Sequence, residues 1–161
     1  MATIEFDQAT LRVGGTTILR EVSLMVEQGE FVGLIGPSGS GKTTMLRAIA
    51  GLAEVAAGSL RLDGVDVSRS RPGDRDIGMV FQEPALFNHR NVERNVAFPL
   101  EIRRQHADEI RARVGAEARA MHLEHLLERR PDQLSRGEAQ LVQIARSMVR
   151  MPGVLLLDEP L

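Results

Sequence analysis

The stretch that decides the fold is "FVGLIGPSGSGKTTMLRAIAGL", residues 31–52. Its first part, residues 31–36, is almost entirely apolar, which predicts a strand buried on both faces in a parallel sheet. A glycine-rich turn follows, and residues 42–51 predict a short helix that ends at Gly51. A strand, a glycine-rich turn and a helix in this order are the context in which G-x-x-x-x-G-K-[ST] binds phosphate.

The motif is complete, with Gly36, Gly41, Lys42 and Thr43 at its fixed positions. Glycines allow a tight backbone turn whose N–H groups point at phosphate oxygens, and the helix adds the positive end of its dipole. We expect Lys42 to reach the β- and γ-phosphates and the Thr43 hydroxyl to bind Mg²⁺. The complete set of predicted nucleotide contacts in the loop is Gly36, Pro37, Ser38, Gly39, Ser40, Gly41, Lys42, Thr43 and Thr44. The alternative, a glycine-rich turn without a ligand, is disfavoured because every position of the motif is filled.

The basic residues support this interpretation. The chain has 19 arginines and a single lysine, Lys42, which lies inside the motif. Arginine is a rigid planar fork, whereas lysine is a compact charge on a flexible stem. The only lysine therefore stands where a fork would not fit.

Composition narrows the function classes. A chain of 161 residues with 43% apolar and 26% charged residues is typical of one soluble globular domain. The net charge of −2 gives no reason to expect a nucleic-acid or lipid-binding surface. No apolar stretch approaches the ~18 residues needed to span a bilayer, and the first residues do not resemble a signal peptide. The absence of cysteine excludes disulfides, and any membrane role would depend on a partner protein.

The rest of the chain predicts a β-rich start, an α/β core and a helical insertion. Alternating residues in 4–13 and 16–30 predict antiparallel half-buried strands, and 58–67 predict a strand pair that turns at Asp63 and Gly64. Residues 76–82 and 154–159 predict further buried strands. We divide the chain into a β-rich and phosphate-loop core at 1–83, a helical subdomain at 84–134, and a last helix and strand at 135–161.

Two amphipathic helices are predicted from apolar stripes of helical spacing. The first lies within residues 109–130 and the second within residues 135–150. The stripe of the first helix is Ile110, Val114, Ala118 and Met121. The stripe of the second helix is Leu141, Ile144, Ala145 and Met148.

Two adjacent carboxylates, Asp158 and Glu159, follow the last predicted strand. Beside a phosphate loop, Asp158 would hold Mg²⁺ and Glu159 would orient or deprotonate the attacking water. The alternative is a strand end that carries two solvated acids. The phosphate loop makes this alternative the weaker one.

With "MVFQ" and "LSRGEAQ" between these sites, the chain resembles the nucleotide-binding subunit of ABC transporters from about Thr3 to Leu161. Residues 75–100 look most like the ATPase subunits of maltose-type importers. The resemblance implies a P-loop NTPase core, ATP and Mg²⁺ as ligands, and work as a dimer on membrane permease subunits. It also implies an indirect link to a solute-binding protein, a peripheral position on the cytoplasmic face of the membrane, and no nucleic-acid partner.

The resemblance assigns further residues. Gln82 would contact Mg²⁺ and the attacking water, and Val13 stands where the family places an aromatic residue on adenine. The segment that contacts the ATP of the other subunit is Ser135, Arg136, Gly137 and Glu138. Independently of the family, Ser135 and Glu138 form the pattern of a capping box at a helix amino terminus.

Several positions depart from the family pattern. Where LSGGQ is common, Arg136 and Glu138 occupy the third and fifth places, and Leu141 replaces an arginine. Loss of the aromatic stack at Val13 should weaken base binding by about 1–3 kcal/mol. Family members continue beyond the acidic strand with a subunit-pairing loop, a core strand and a histidine that contacts the γ-phosphate. All histidines of this chain lie in the helical insertion: His89, His106, His122 and His125.

These departures leave three hypotheses. The first is the ATP-binding part of an ABC import ATPase that lacks its last core strands, hydrolyses ATP poorly by itself, and has a gap in its sheet with uncovered apolar side chains. The second is a non-catalytic or regulatory module that pairs with an intact homologue. The third, a DNA-repair type of ABC ATPase, is disfavoured because the chain has no cysteine and no sustained heptads.

Overall fold

A computed structural model describes residues 2–159 as a mixed α/β protein made of two compact units, which divide between Ile77 and Gly78. The first unit holds the elements β1 (Ile4–Val13), β2 (Thr16–Val26), α1 (Lys42–Ile49), β3 (Glu54–Leu62) and β4 (Val65–Asp66). The second unit contains all but the first residue of β5 (Ile77–Val80), followed by α2 (Val92–Ile102), α3 (Ala107–Ala120), α4 (Arg136–Met148) and β6 (Val154–Leu157). The division of the sequence at 83/84 and 134/135 stays a prediction.

The first unit is built on an antiparallel sheet with the order β2-β1-β3-β4. Ile4 of β1 pairs with Val26 on one side and with Leu62 on the other. The predicted antiparallel strands are therefore confirmed. Asp63 and Gly64 have φ angles of 48° and 75°, which is the backbone of the two-residue hairpin turn predicted there.

Helix α1 packs against β1 and β3, with Ala48 and Ile49 buried. It begins at Lys42 and ends as predicted, because Gly51 adopts φ 80° and cannot continue a right-handed helix. The Leu52 N–H donates to the Arg47 carbonyl at 2.7 Å, which satisfies an orphan group of the last turn.

The strand predicted for residues 31–36 is wrong. Residues 30–37 have no regular secondary structure, and Phe31 and Ile35 are 90% and 99% exposed. A parallel strand forms only when neighbouring strands take up its backbone groups and helices cover its faces. None of the strands between residues 2 and 159 pairs with this stretch, so its apolar side chains have no cover.

The second unit has a helical core between α2, α3 and α4. Its buried residues are Val92, Val96, Ala97, Leu100, Val114, Ala118, Leu123, Leu126, Val142, Ala145 and Val149. The predicted stripe of α3 is confirmed, since Val114 and Ala118 are buried and Ile110 and Met121 pack against the core. The helix ends at Ala120, ten residues before the predicted segment does, because His122 adopts φ 56°.

The predicted stripe of α4 is wrong by one position. Leu141 and Met148 are 43% and 38% exposed, whereas Val142, Ala145 and Val149 are buried. The buried positions also have helical spacing and share Ala145 with the predicted stripe. Packing against α2 and α3 decides which of the two faces is buried.

Strands β5 and β6 form a two-stranded sheet. The strand predicted at the end of the chain is confirmed as β6, but only one of its faces is buried: Val154 and Leu156 are buried, while Leu155 and Leu157 are each 36% exposed. Strand β5 likewise alternates between buried and half-buried residues. A two-stranded sheet with one covered face produces this alternation. No helix between residues 2 and 159 is both long and apolar enough to cross a bilayer.

Candidate functional site

The phosphate-loop motif lies in the first unit, directly before α1. Gly41 is the N-cap of α1 with φ 96°, a conformation that favours glycine. A Cβ at Gly41 would lie 2.8 Å from the Leu19 side chain of β2. The glycine is therefore required both by the turn and by the close approach of the loop to β2.

Lys42, the first residue of α1, reaches back over the loop. Its Nζ donates to the Gly36 carbonyl at 2.8 Å and to the Pro37 carbonyl at 2.9 Å. The ammonium is thus held at the amino terminus of a helix, where the first-turn N–H groups have no intrahelical acceptors. Positive charge and N–H donors converge here, as an anion-binding site requires. Thr43 and Thr44 follow in the first turn and are half-buried.

In the second unit, the ends of β5 and β6 bring two predicted catalytic residues together. The Gln82 side-chain Nε2 donates to Glu159 Oε2 at 2.9 Å, and both residues are exposed. The Asp158 N–H donates to the Val80 carbonyl at 3.0 Å, which extends the pairing of the two strands beyond their ends. This pairing aligns Gln82 with Glu159, although 77 positions separate them in the sequence. Asp158 is 8% exposed and its neighbour Glu159 has φ 47°.

Three side chains of α4 hold the segment around Gln82. Gln140 Nε2 donates to the Phe81 carbonyl at 3.3 Å, and Ser147 Oγ donates to the Met79 carbonyl at 3.0 Å. Arg146 Nη2 donates to the Ala85 carbonyl at 2.6 Å. Neither the apolar stripe nor the capping box of α4 predicts these three residues. The available signal was their polar type at half-buried helix positions.

Arg146 makes a second contact with the same segment. Its guanidinium carbon lies 5.2 Å from the centre of the Phe87 ring, which packs edge-on against Phe98. Burial lowers the pKa of Arg146, since it removes water from the charged guanidinium. The side chain therefore anchors residues 85–87 through both a hydrogen bond and a cation–π contact.

The predicted capping box at the start of α4 is confirmed. The Ser135 N–H donates to Glu138 Oε2 at 2.7 Å, and the Glu138 N–H donates to Ser135 Oγ at 3.3 Å. Arg129 Nη1 lies 3.8 Å from Glu138 Oε1. Interaction with the Ser135 hydroxyl, and then with its backbone N–H, holds the pKa of Glu138 below its usual value of 4.5. Part of the anion-binding capacity of this helix end is therefore used by an internal carboxylate.

Replacing Ser135 should change how stability depends on pH. Because the folded pKa of Glu138 lies below its unfolded value, its contribution is present above the unfolded pKa and is lost as the pH falls through the folded pKa. Ser135→Ala should raise the folded pKa and flatten the fall in the free energy of unfolding between about pH 5 and pH 3. Urea titrations at several pH values in this range would measure the free energy of unfolding of each variant. Ser70→Ala is the control and should keep the pH dependence of wild type. If the free energy of unfolding fell equally with pH in wild type and Ser135→Ala, Ser135 would not be the cause of the lowered pKa of Glu138.

A surface cleft of about 540 Å³ lies next to this capping box and was not predicted. Pro84 and Leu86 form one part of its lining, and Pro131, Arg136 and Ala139 form another. Arg136 and Gly137 are exposed, and the space where a Cβ of Gly137 would lie is open. The cleft connects the segment after Gln82 with the start of α4.

Residues 19–161 match the family model described as ABC transporter. The chain belongs to the ABC transporter family. This membership confirms the resemblance and the P-loop NTPase fold class, and the family uses ATP with Mg²⁺. The predicted roles of the individual site residues stay predictions.

Curated relatives of this ABC transporter family member are import subunits. The chain is 45% identical over its full length to the sn-glycerol-3-phosphate import ATP-binding protein UgpC of Ruegeria pomeroyi, and covers 46% of that protein. It is 46% identical over 91% of its length to the trehalose import ATP-binding protein SugC of Mycobacterium tuberculosis, and covers 37% of it. It is 43% identical over its full length to the osmoprotective compounds uptake ATP-binding protein GgtA of Synechocystis sp., and covers 44% of it. The chain thus spans less than half the length of these relatives.

Proposed function

We propose that this chain is the ATP-binding part of an ABC import ATPase. The observation that carries the proposal is the phosphate loop itself, in which the Lys42 ammonium lies against the Gly36 and Pro37 carbonyls at the amino terminus of α1. The family membership supports ATP as the nucleotide. The proposed contacts to the phosphates come from residues 36–44, with Val13 on the side of the base.

The proposed chemistry is phosphoryl transfer to water. Mg²⁺ would neutralise charge that develops on the β- and γ-phosphates. The family resemblance proposes Thr43, Gln82 and Asp158 as its ligands, and each of these residues carries an oxygen of the kind that Mg²⁺ binds. Glu159 would orient the attacking water and accept its proton. The hydrogen bond from Gln82 to Glu159 supports a shared role for these two residues.

The start of α4 is the proposed contact to the ATP of a second subunit. Ser135, Arg136, Gly137 and Glu138 would present the helix N–H groups and the Ser135 hydroxyl to the γ-phosphate. The capping box supports a rigid helix end, and the exposure of Arg136 and Gly137 supports their accessibility. The Glu138 charge lies next to the proposed phosphate position and would weaken this contact relative to a neutral glutamine.

Membrane permease subunits are the proposed partners of the complete protein, which would place it at the cytoplasmic face of the membrane. The import names of the relatives support this proposal. The cleft beside Pro84, Leu86 and Arg136 is a candidate contact surface, because it joins the segment after Gln82 to the start of α4. A solute-binding protein would be a further, indirect partner and would select the substrate.

Equilibrium binding of a fluorescent ATP analogue, mant-ATP, tests the nucleotide proposal. We expect saturable binding that requires Mg²⁺ for full affinity and is displaced by unlabelled ATP. The chain has no tryptophan or tyrosine, so its own near-ultraviolet fluorescence does not interfere. A folded chain that shows no displaceable binding at millimolar ATP would refute the proposal.

A binding or regulatory role without turnover is the second candidate. The Glu138 carboxylate at the amino terminus of α4 favours it, because this acid opposes the approach of a phosphate. Steady-state ATPase assays separate the two candidates. Turnover at the ordinary rates of about 1–10³ s⁻¹ that Glu159→Gln abolishes would support the enzyme, and tight binding without turnover would support the regulatory module.

A further inference from the structure

A buried arginine holds the carboxyl end of α1. Arg75 is 3% exposed and lies directly after the short turn Pro72–Asp74. Its Nη1 donates to the Ala48 and Ile49 carbonyls, both at 2.7 Å. Nη2 of the same side chain donates to the carbonyls of Val67 at 2.6 Å and Ser70 at 3.0 Å. All four acceptors are backbone oxygens.

The chemistry of arginine suits this position. The last carbonyls of a helix have no intrahelical donors and form the negative end of its dipole. A guanidinium stays charged in proteins and presents its donors in a fixed fork. Burial lowers the pKa of Arg75, since the charge has lost its water, and four carbonyl oxygens replace that water. The side chain thus ties the last turn of α1 to the segment Val67–Ser70.

The chain leaves α1 in a way that makes room for this arginine. Gly51 has φ 80°, and a Cβ there would lie 3.0 Å from both Cζ and Nε of Arg75 and 3.2 Å from Cα of Pro72. A side chain at Gly51 would therefore push against the guanidinium. Gly51 therefore ends α1 and also leaves the space in which the Arg75 guanidinium binds the last carbonyls of the helix.

The amino end of the same helix is fixed as well. Gly41 lies against Leu19 of β2, and Lys42 follows as the first residue of α1. The helix has eight residues, which span about 12 Å as a rigid rod. A shift or tilt of its carboxyl end would consequently move Lys42 relative to the Gly36 and Pro37 carbonyls.

We propose that Arg75 is a positioning residue for the phosphate loop: by fixing the carboxyl end of α1, it sets where Lys42 and the first-turn N–H groups meet the nucleotide. This inference rests on the proposed nucleotide binding. Arg75 itself does not contact the nucleotide. Its effect reaches the phosphates through the helix.

The first test compares Arg75→Lys with wild type in mant-ATP binding. Lysine keeps the charge but cannot reach four carbonyls as a fork. We expect the Kd to rise at least about tenfold, because a shift of the helix that costs one charge-assisted hydrogen bond to the phosphates already has this effect. A variant that is only partly folded shows an apparent Kd raised by the factor 1/f, where f is its measured folded fraction. The Kd of Arg75→Lys must therefore rise by more than 1/f to support the inference. Arg69→Lys, at an exposed arginine of the same segment, should leave the Kd unchanged.

Two further variants keep the inference testable if one of them folds poorly. Gly51→Ala should raise the Kd in the same direction by displacing the guanidinium. For Arg75→Ala, about 20 mM guanidinium should restore part of the affinity, whereas urea, a neutral molecule of similar shape, should not. A Kd for Arg75→Lys and Gly51→Ala that follows the folded fraction alone would overturn the inference and leave nucleotide binding intact. Absence of binding in wild type would instead refute the proposed function, and this inference with it.

Discussion

Replacing Lys42 by methionine should weaken ATP binding at least about 100-fold. The variant would lose two charge-assisted hydrogen bonds from the ammonium to the β- and γ-phosphates, which contribute about 1.5–3 kcal/mol each. Methionine keeps most of the length of the side chain and removes the ammonium. Lys42 donates to the carbonyls of Gly36 and Pro37, and both of these residues are exposed. In the variant, water can donate to these carbonyls in place of the ammonium. We therefore expect Lys42→Met to fold normally and to fail in mant-ATP binding.

Two control variants separate charge from geometry. Arg47→Met removes a positive charge from the exposed side of the same helix and should change the Kd by less than about twofold. Lys42→Arg retains the charge but introduces a planar fork, and it should still lose most of the affinity. Unchanged affinity in Lys42→Met would show that the loop does not hold the phosphates.

Replacing Asn95 by leucine should lower the free energy of unfolding by about 3 kcal/mol, since buried polar groups lose their partners. Asn95 is fully buried in α2. Its Oδ1 accepts from the Phe87 N–H at 2.8 Å. Its Nδ2 donates to the Phe87 and Arg90 carbonyls, each at 3.2 Å, and to the Asn91 carbonyl at 3.0 Å. Leucine has a similar volume and satisfies none of these groups.

Urea denaturation followed by far-ultraviolet circular dichroism measures this loss. Asn88→Ala, at an exposed asparagine of the same loop, should change stability by less than about 0.5 kcal/mol. A loss below about 1 kcal/mol in Asn95→Leu would mean that the segment from Phe87 to Asn91 is held by other contacts. We also expect Asn95→Leu to loosen the Arg146–Phe87 contact, since Phe87 is anchored through its backbone.

Local patterns predicted much of the fold correctly. The hairpin turn at Asp63 and Gly64, the helix start at Lys42 and the capping box of Ser135 and Glu138 are determined by neighbouring residues in the sequence. Turn chemistry and capping act over two to four residues, so a sequence pattern contains the whole cause. Complete motifs likewise predicted the family.

Features that depend on distant partners were predicted poorly. The apolar run at 31–36 reads as a strand, but a strand also needs a neighbour, and the pattern does not contain one. The buried face of α4 was misassigned because two overlapping stripes fit the helical period and only packing against α2 and α3 selects Val142 and Val149.

Buried polar residues were missed for a related reason. Arg75 and Asn95 are polar residues of types that usually lie at the surface, and each is buried here because it satisfies backbone groups of an irregular segment packed against it. Arg75 joins carbonyls up to 27 positions away. The fold determines which backbone groups such a buried side chain meets, and the spacing of residues in the sequence does not predict them. The Gln82–Glu159 hydrogen bond likewise joins residues 77 positions apart and does not follow from spacing, although the resemblance predicts both residues in the site.

Hydrogen exchange with and without MgATP tests most directly whether the backbone of residues 36–44 is built to hold a triphosphate. Amides of this loop and of the first turn of α1 should exchange more slowly when MgATP is bound, and Lys42→Met should show no such change at the same nucleotide concentration. Slower exchange confined to other parts of the chain, with residues 36–44 unaffected, would contradict the account.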